Sequence, residues 1–199
     1  MGEKFDPSRW QRFEDPKRLK ELPPAVIAGL LQLRGGETVI DYGAGTGVYT
    51  IALAESLPEA RLIAVDDSAQ MLERLCEKLD APGREGLRER INVVHSEHDS
   101  VPLPDACAQR LVAINVLHHI HDEPRPLAEI VRLLSPGGLF VAVEFGAIDR
   151  PFGPAKDHVL QHDELRTLIK GMGLDEVSCH EPGELLPWHV VVVAQKPAA

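Results

Sequence analysis

The sequence predicts an α/β fold, a doubly wound, seven-stranded and mostly parallel sheet that closes with a C-terminal antiparallel hairpin. Three observations carry this. Short apolar runs alternate with segments whose apolar residues recur at helical spacing, the pattern of repeated βαβ units. The first run, VIDY from Val39, ends in an acid and a tyrosine and breaks into GAGTG before a helix opens. The last two runs, DEVSC and HVVVVAQ, are separated only by a loop over residues 181–187 that is rich in Glu and Pro. That loop is too short for a crossover helix, so the two strands pair antiparallel.

With 199 residues, 44% of them hydrophobic, the chain can bury one substantial core. A single domain is expected over residues 25–199, preceded by an arm over residues 1–24. The arm is charged and punctuated by prolines, with a short helix predicted over residues 16–22. Its Phe5, Trp10 and Phe13 make it a candidate partial lid. Residues 25–33 repeat apolar side chains at helical spacing until Arg34-Gly35-Gly36 stops them. Thr38–Tyr42 is the first strand, and Val48–Ser56 an apolar helix ended by Pro58. Arg61–Asp66 is a second strand. Residues 68–79 place Met71, Leu72, Leu75 and Leu79 on one helical face, a core stripe. Ile91–His95 and residues 110–115 are further strands. A helix over 127–134 is closed by Ser135-Pro136-Gly137-Gly138, and 139–145 forms the fifth strand. A helix over 162–172 then leads to the terminal pair, 175–179 and His189–Gln195.

Charge and cysteine content narrow the class of partner. Twenty-one basic residues against thirty-one acidic ones give a formal charge of −10, with no basic cluster, which disfavours nucleic acid and anionic lipid. The first thirty residues carry no apolar signal segment and no membrane span, so a cytoplasmic protein without stable membrane anchoring is expected. Cys76, Cys107 and Cys179 are scattered singly, which fits a reducing compartment.

A strand that ends in a glycine-rich turn and opens a helix aims bare amides and a positive helix end at a ligand. Dinucleotide cofactors use G-x-G-x-x-G, but here the glycines are Gly43, Gly45 and Gly47, with Val48 where that pattern needs the third. Asp66 ends the second strand nineteen residues after Gly47, where a carboxylate can accept both hydroxyls of a ribose.

The spacing D-x-G-x-G-x-G resembles that of the class I S-adenosylmethionine-dependent methyltransferases, and the resemblance extends along residues 37–145. Val65, Asp66, Ser68, Met71 and Leu72 match the family's V-D-x-S-x-x-M-L. Val101-Pro102-Leu103-Pro104-Asp105, Asn115-Val116-Leu117-His118-His119 and Leu134-Ser135-Pro136-Gly137-Gly138 are strings similar to those of its ubiquinone and menaquinone C-methyltransferase branch. The resemblance implies a Rossmann-like fold and S-adenosylmethionine as methyl donor, with S-adenosylhomocysteine as product. It implies that Asp41 faces the donor's amino group, that Gly43, Gly45 and Gly47 line the donor, and that Asp66 holds the ribose. Asp67 then faces solvent or caps the next helix. Ser96, Glu97 and His98 stand where the family has Gly-Asp-Ala, so Glu97 and the His98 backbone are the candidates for adenine, and Asn115 completes the donor set.

Methyl transfer from a sulfonium is an in-line displacement, so positioning dominates, and a general base is needed only where the acceptor atom begins protonated. The candidates for the acceptor side are His118, His119 and Glu144, at the carboxyl ends of the fourth and fifth strands. Phe152 and His158 lie in a segment able to touch the acceptor. His118, His119 and His121 do not have the spacing of a metal site, and no metal is expected. The acceptor is expected to be a small molecule, its methylated atom and the oligomeric state being open. Cys107 is the cysteine best placed for a thiol or metalloid acceptor. Two other readings stand beside this one: a non-catalytic donor-binding module, and a nicotinamide-dependent oxidoreductase.

Overall fold

A computed structural model describes residues 7–12, 14–97 and 99–198. Seven strands form one sheet in the order β3-β2-β1-β4-β5-β7-β6. They are β1 (Thr38–Tyr42), β2 (Arg61–Asp66), β3 (Ile91–His95), β4 (Ala108–Ile114), β5 (Leu134–Phe145), β6 (Asp175–His180) and β7 (His189–Gln195). β1, β2, β3, β4 and β5 pair in parallel, and β7 runs antiparallel to both β5 and β6. The expected doubly wound sheet with its terminal hairpin is the one observed. Because β1 pairs with β2 on one side and β4 on the other, the winding reverses there, and a crevice opens beyond the carboxyl ends of β1 and β4.

Alternation along the strands sends side chains to two cores. Val39, Val112, Val141 and Val191 pack on α2 (Pro24–Leu31), α3 (Val48–Ser56) and α4 (Ala69–Leu79). Ile40, Leu111, Phe140 and Val192 pack on α7 (Pro124–Leu133) and α8 (His162–Gly171). Asp41 falls on the face of Val39, and so points at α3. The arm forms a 3₁₀ turn, Pro7–Arg12, and α1 (Pro16–Glu21), capped by the Asp15 carboxylate on the Lys17 amide at 2.9 Å.

Several boundaries differ from expectation by a few residues, three of them for an evident local reason. α7 starts at Pro124 because prolines in a first helical turn give up amides that have no helical acceptor anyway. Leu134 belongs to β5 rather than to the helix, since it pairs with Ala108 across a bulge before the ladder resumes at Arg110 and Leu139. Asn115 leaves β4 in the left-handed region, φ 57°. Two short helices, α5 (Glu85–Arg90) and α6 (Leu117–Ile120), have too little apolar periodicity to be read from sequence. α5 is held by Arg90, which donates to the carbonyls of Ala54 at 2.8 Å and Leu57 at 3.2 Å. No helix among the described residues is long and apolar enough to cross a membrane.

Candidate active site

The turn after β1 is fixed from both sides. The Gly43 and Ala44 amides donate to the Val65 carbonyl at 2.8 and 3.0 Å, and the Gly45 amide donates to Asp66 Oδ2 at 2.7 Å. All three glycines are left-handed, with φ of 77°, 55° and 75°. Their surroundings differ. A Cβ on Gly43 would stand 2.4 Å from Val116 Cγ2 and one on Gly47 2.2 Å from Leu75 Cδ1, whereas one on Gly45 would meet nothing within 4 Å. Gly45 therefore faces open space, where a ligand would lie. Gly47 lets α4 pack on the turn and does not line the cavity.

That cavity has a volume of about 2470 Å³, more than a nucleoside-sized ligand fills, and Asp41, Gly43, Gly45, Asp66 and Asn115 all line it. Asp41 is 2% exposed and accepts a hydrogen bond from Thr50 Oγ1 at 2.6 Å. Burial, reinforced by the charge of Asp66, pushes its carboxyl up to about 6. Burial does the same to Asp66, despite the Ser68 and Gly45 amides that stabilise its charge. Oδ1 of Asn115 is buried without a hydrogen-bond partner among the described residues. Two carboxylates and an orphaned amide oxygen around one cavity are all acceptors, and they fit a ligand rich in donors: an ammonium group and a pair of hydroxyls.

Other sequence-derived candidates are placed differently. Glu97 is exposed, bridges back to Ser100 and does not line the cavity, while its neighbour Ser96 is buried and does. Adenine recognition by the Glu97 side chain has no geometry to rest on. His98, like Phe5 and Phe13, lies outside the described residues. Asp67 is exposed, and Ser68, not Asp67, caps α4, accepting from the Met71 amide at 3.4 Å. Cys107 does not line the cavity; burial raises its thiol. Among the described residues no group of three potential ligands could hold a metal ion.

On the acceptor side, His118, His119, Phe145, Phe152 and His158 line the cavity. Glu144 does not: it is 1% exposed, and Oε1 accepts from the amides of Val116 at 2.7 Å and Leu117 at 2.6 Å. Its Oε2 lies 2.6 Å from His118 Nδ1. Behind them His189 stacks on Phe145 at 4.8 Å, both ring nitrogens without a hydrogen-bond partner among the described residues, its pKa driven down to about 3 by burial and then by Arg18 and Arg150. The loop after β5 is stapled by Arg150, which donates to the carbonyls of Gly146, Ile148 and Pro154.

The arm borders the cavity through Asp15, Arg18 and Glu21. Glu14 Oε1 accepts from Thr46 Oγ1 and from Lys78 Nζ, each at 2.5 Å, and so ties the arm to the glycine turn and to α4. Tyr49 lines the cavity and also donates to the Arg18 carbonyl at 3.4 Å. Trp10 sits over Arg74 of α4, 5.2 Å from the guanidinium carbon, and not in the cavity wall. Thr50 and Glu14 escape a sequence reading. Thr50 has a signal of a kind, a hydroxyl in the first turn of the helix that faces the acid of β1; Glu14 has none.

Comparison with known proteins agrees with this geometry. Residues 39–138 match the family described as "Methyltransferase domain", and the chain belongs to that family, with the fold and donor motifs of a class I S-adenosylmethionine-dependent methyltransferase. It is 34% identical to a trans-aconitate 2-methyltransferase of Pseudomonas paraeruginosa, over 69% of this chain and 46% of that protein. It is 25% identical to the 27-O-demethylrifamycin SV methyltransferase of Amycolatopsis mediterranei, over 77% of this chain and 55% of that one. The chain thus spans about half the length of these curated relatives. A crystal structure of a SAM-dependent methyltransferase from Aquifex aeolicus superposes with a TM-score of 0.86 at 25% identity, covering 96% of this chain and 99% of that one.

Proposed function

We propose that the protein transfers a methyl group from S-adenosylmethionine to a small-molecule acceptor. The observation that carries this is the set of acceptors Asp41, Asp66 and Asn115 Oδ1 around one cavity at the switch point, beside a Gly45 open to it. In this reading Asp41 meets the donor's ammonium group, Asp66 the ribose hydroxyls, and Gly45 leaves room for the methionine portion, while Gly43 lines the cavity and makes room for Val116. Ser96 replaces Glu97 as the residue nearest the adenine. Gly47 supports the turn from behind. The acceptor enters on the side of His118, His119 and Phe152. Relatives named for aconitate, rifamycin and malonyl-carrier methylation support a small-molecule acceptor and leave its class open.

The arm over residues 1–24 acts as a partial lid, supported by the Glu14 contacts to Thr46 and Lys78. Three free cysteines support a reducing, cytoplasmic setting. The test is incubation of the purified protein with methyl-labelled S-adenosylmethionine and the small-molecule fraction of a cell lysate. Label should appear in a low-molecular-weight product. Bound donor with no label transferred to any fraction would instead make the chain a binding module.

A further inference from the structure

His118 and Glu144 bear on the chemistry of the acceptor, a role that rests on the methyl-transfer reading. We propose that the acceptor is a hydroxyl compound, an alcohol or phenol that enters protonated, with His118 as its general base and Glu144 as the residue that positions His118.

The Glu144 carboxylate offers only lone pairs to its three donors, the Val116 and Leu117 amides and His118 Nδ1. Nδ1 must then carry the hydrogen of a neutral imidazole, which leaves the lone pair on Nε2. The ring is held in that orientation. His119 packs on it at 4.0 Å between centroids, and Phe145 meets it edge-on at 6.4 Å. Nε2 has no hydrogen-bond partner among the described residues, and His118 lines the cavity. A base with its second nitrogen fixed by a buried carboxylate is an arrangement suited to proton removal.

The chemistry then excludes a carboxylate acceptor, which brings its own lone pair and has no proton for Nε2 to take. An ammonium nitrogen has no lone pair until its proton has left completely, so removal cannot accompany attack, and a neutral amine attacks without a base; a hydroxyl oxygen keeps its lone pairs while still protonated. A hydroxyl suits the site. Nε2 takes its proton as the oxygen lone pair forms the new O–CH₃ bond, the C–S bond breaks with its electron pair left on sulfur, and the imidazolium stays paired with Glu144 until solvent removes the proton.

The test uses the labelled product of the wild-type protein together with three variants. The label should survive mild alkali and be released as methyl iodide by hot hydriodic acid, the behaviour of a methyl ether. Alkali-labile label, a methyl ester, overturns the assignment, as does label stable to both reagents, a C- or N-methyl product; either outcome leaves methyl transfer itself standing. No labelled product at all removes the methyl-transfer reading and this one with it. H118N should lower turnover by about 10²- to 10⁴-fold without changing affinity for S-adenosylhomocysteine. Added imidazole should restore part of the activity of H118A. E144Q should lower kcat while leaving the KM for the donor unchanged. Near wild-type turnover in H118N overturns the role given to His118.

Discussion

Asp66, at the end of β2, accepts the Gly45 amide at 2.7 Å on Oδ2 and the Ser68 amide at 2.9 Å on Oδ1. The carboxylate is thereby clamped between the glycine turn and the cap of α4, with a lone pair on each oxygen still available for a ribose hydroxyl. D66A should weaken donor binding by roughly 1–3 kcal/mol through the lost hydrogen bonds. D67A should have far less effect, since Asp67, though it also borders the cavity, is exposed and is not the acid held by the Gly45 and Ser68 amides. Calorimetric titration of both variants distinguishes the two acids, and unchanged affinity in D66A would move the role to Asp67.

The glycines should separate folding from binding. An added Cβ at Gly47 lands 2.2 Å from Leu75 Cδ1 in a left-handed backbone, so G47A combines steric overlap with conformational strain. It should lose about 2–5 kcal/mol of stability. G45A carries only the conformational part, about 1–2 kcal/mol, because its Cβ meets nothing. Yet that Cβ enters the space assigned to the donor. Thermal melts should rank G47A below G45A, while donor affinity should fall in G45A. Wild-type affinity in G45A would show that the ligand does not approach the turn.

Asp41 makes the donor-free protein sensitive to pH. Its folded carboxyl sits near 6 against an ordinary 3.8, first because it is buried, so the folded state holds the proton more tightly than the unfolded chain. That contribution to stability is complete below the ordinary value and is lost as pH rises through about 6. The amount is at most about 3 kcal/mol. D41N should therefore match the wild type in acid and be the more stable of the two near neutrality, without ligand, in denaturant titrations at several pH values. It should also bind the donor more weakly. A constant difference across pH would contradict the assignment of a raised carboxyl.

Glu14 should govern how firmly the arm closes. Its carboxylate is partly exposed, 31% for the side chain, so the ion pair with Lys78 is worth no more than about 1 kcal/mol. E14A should speed tryptic cleavage at Lys17 and Arg18 and raise the dissociation rate of the donor, whereas donor binding to the wild type should slow that cleavage. Equal cleavage with and without donor would mean that the arm is not coupled to the site.

Much of the fold and the donor site was legible in the sequence because its signals are local. The apolar runs of β1 and β2, the left-handed glycines and the terminal acids Asp41 and Asp66 depend on residues close together in the chain. What was not legible depends on long-range contact. Gly43, Gly45 and Gly47 read as equivalent, yet only the position of Leu75, in another helix, separates Gly47 from Gly45. Glu97 matched a motif position, but the backbone there turns its side chain to solvent and leaves Ser96 inward. The pairing of Glu144 with His118 joins the ends of β5 and α6, and no spacing in the chain announces it.

The central claim is that the cavity beyond β1 and β4 holds a sulfonium donor or its thioether product, and calorimetric titration of the purified protein with S-adenosylhomocysteine tests it most directly. Saturable binding at one site per chain, weakened in D66A, is predicted. No heat of binding to a folded wild-type protein, or binding of NADH in its place, would contradict it.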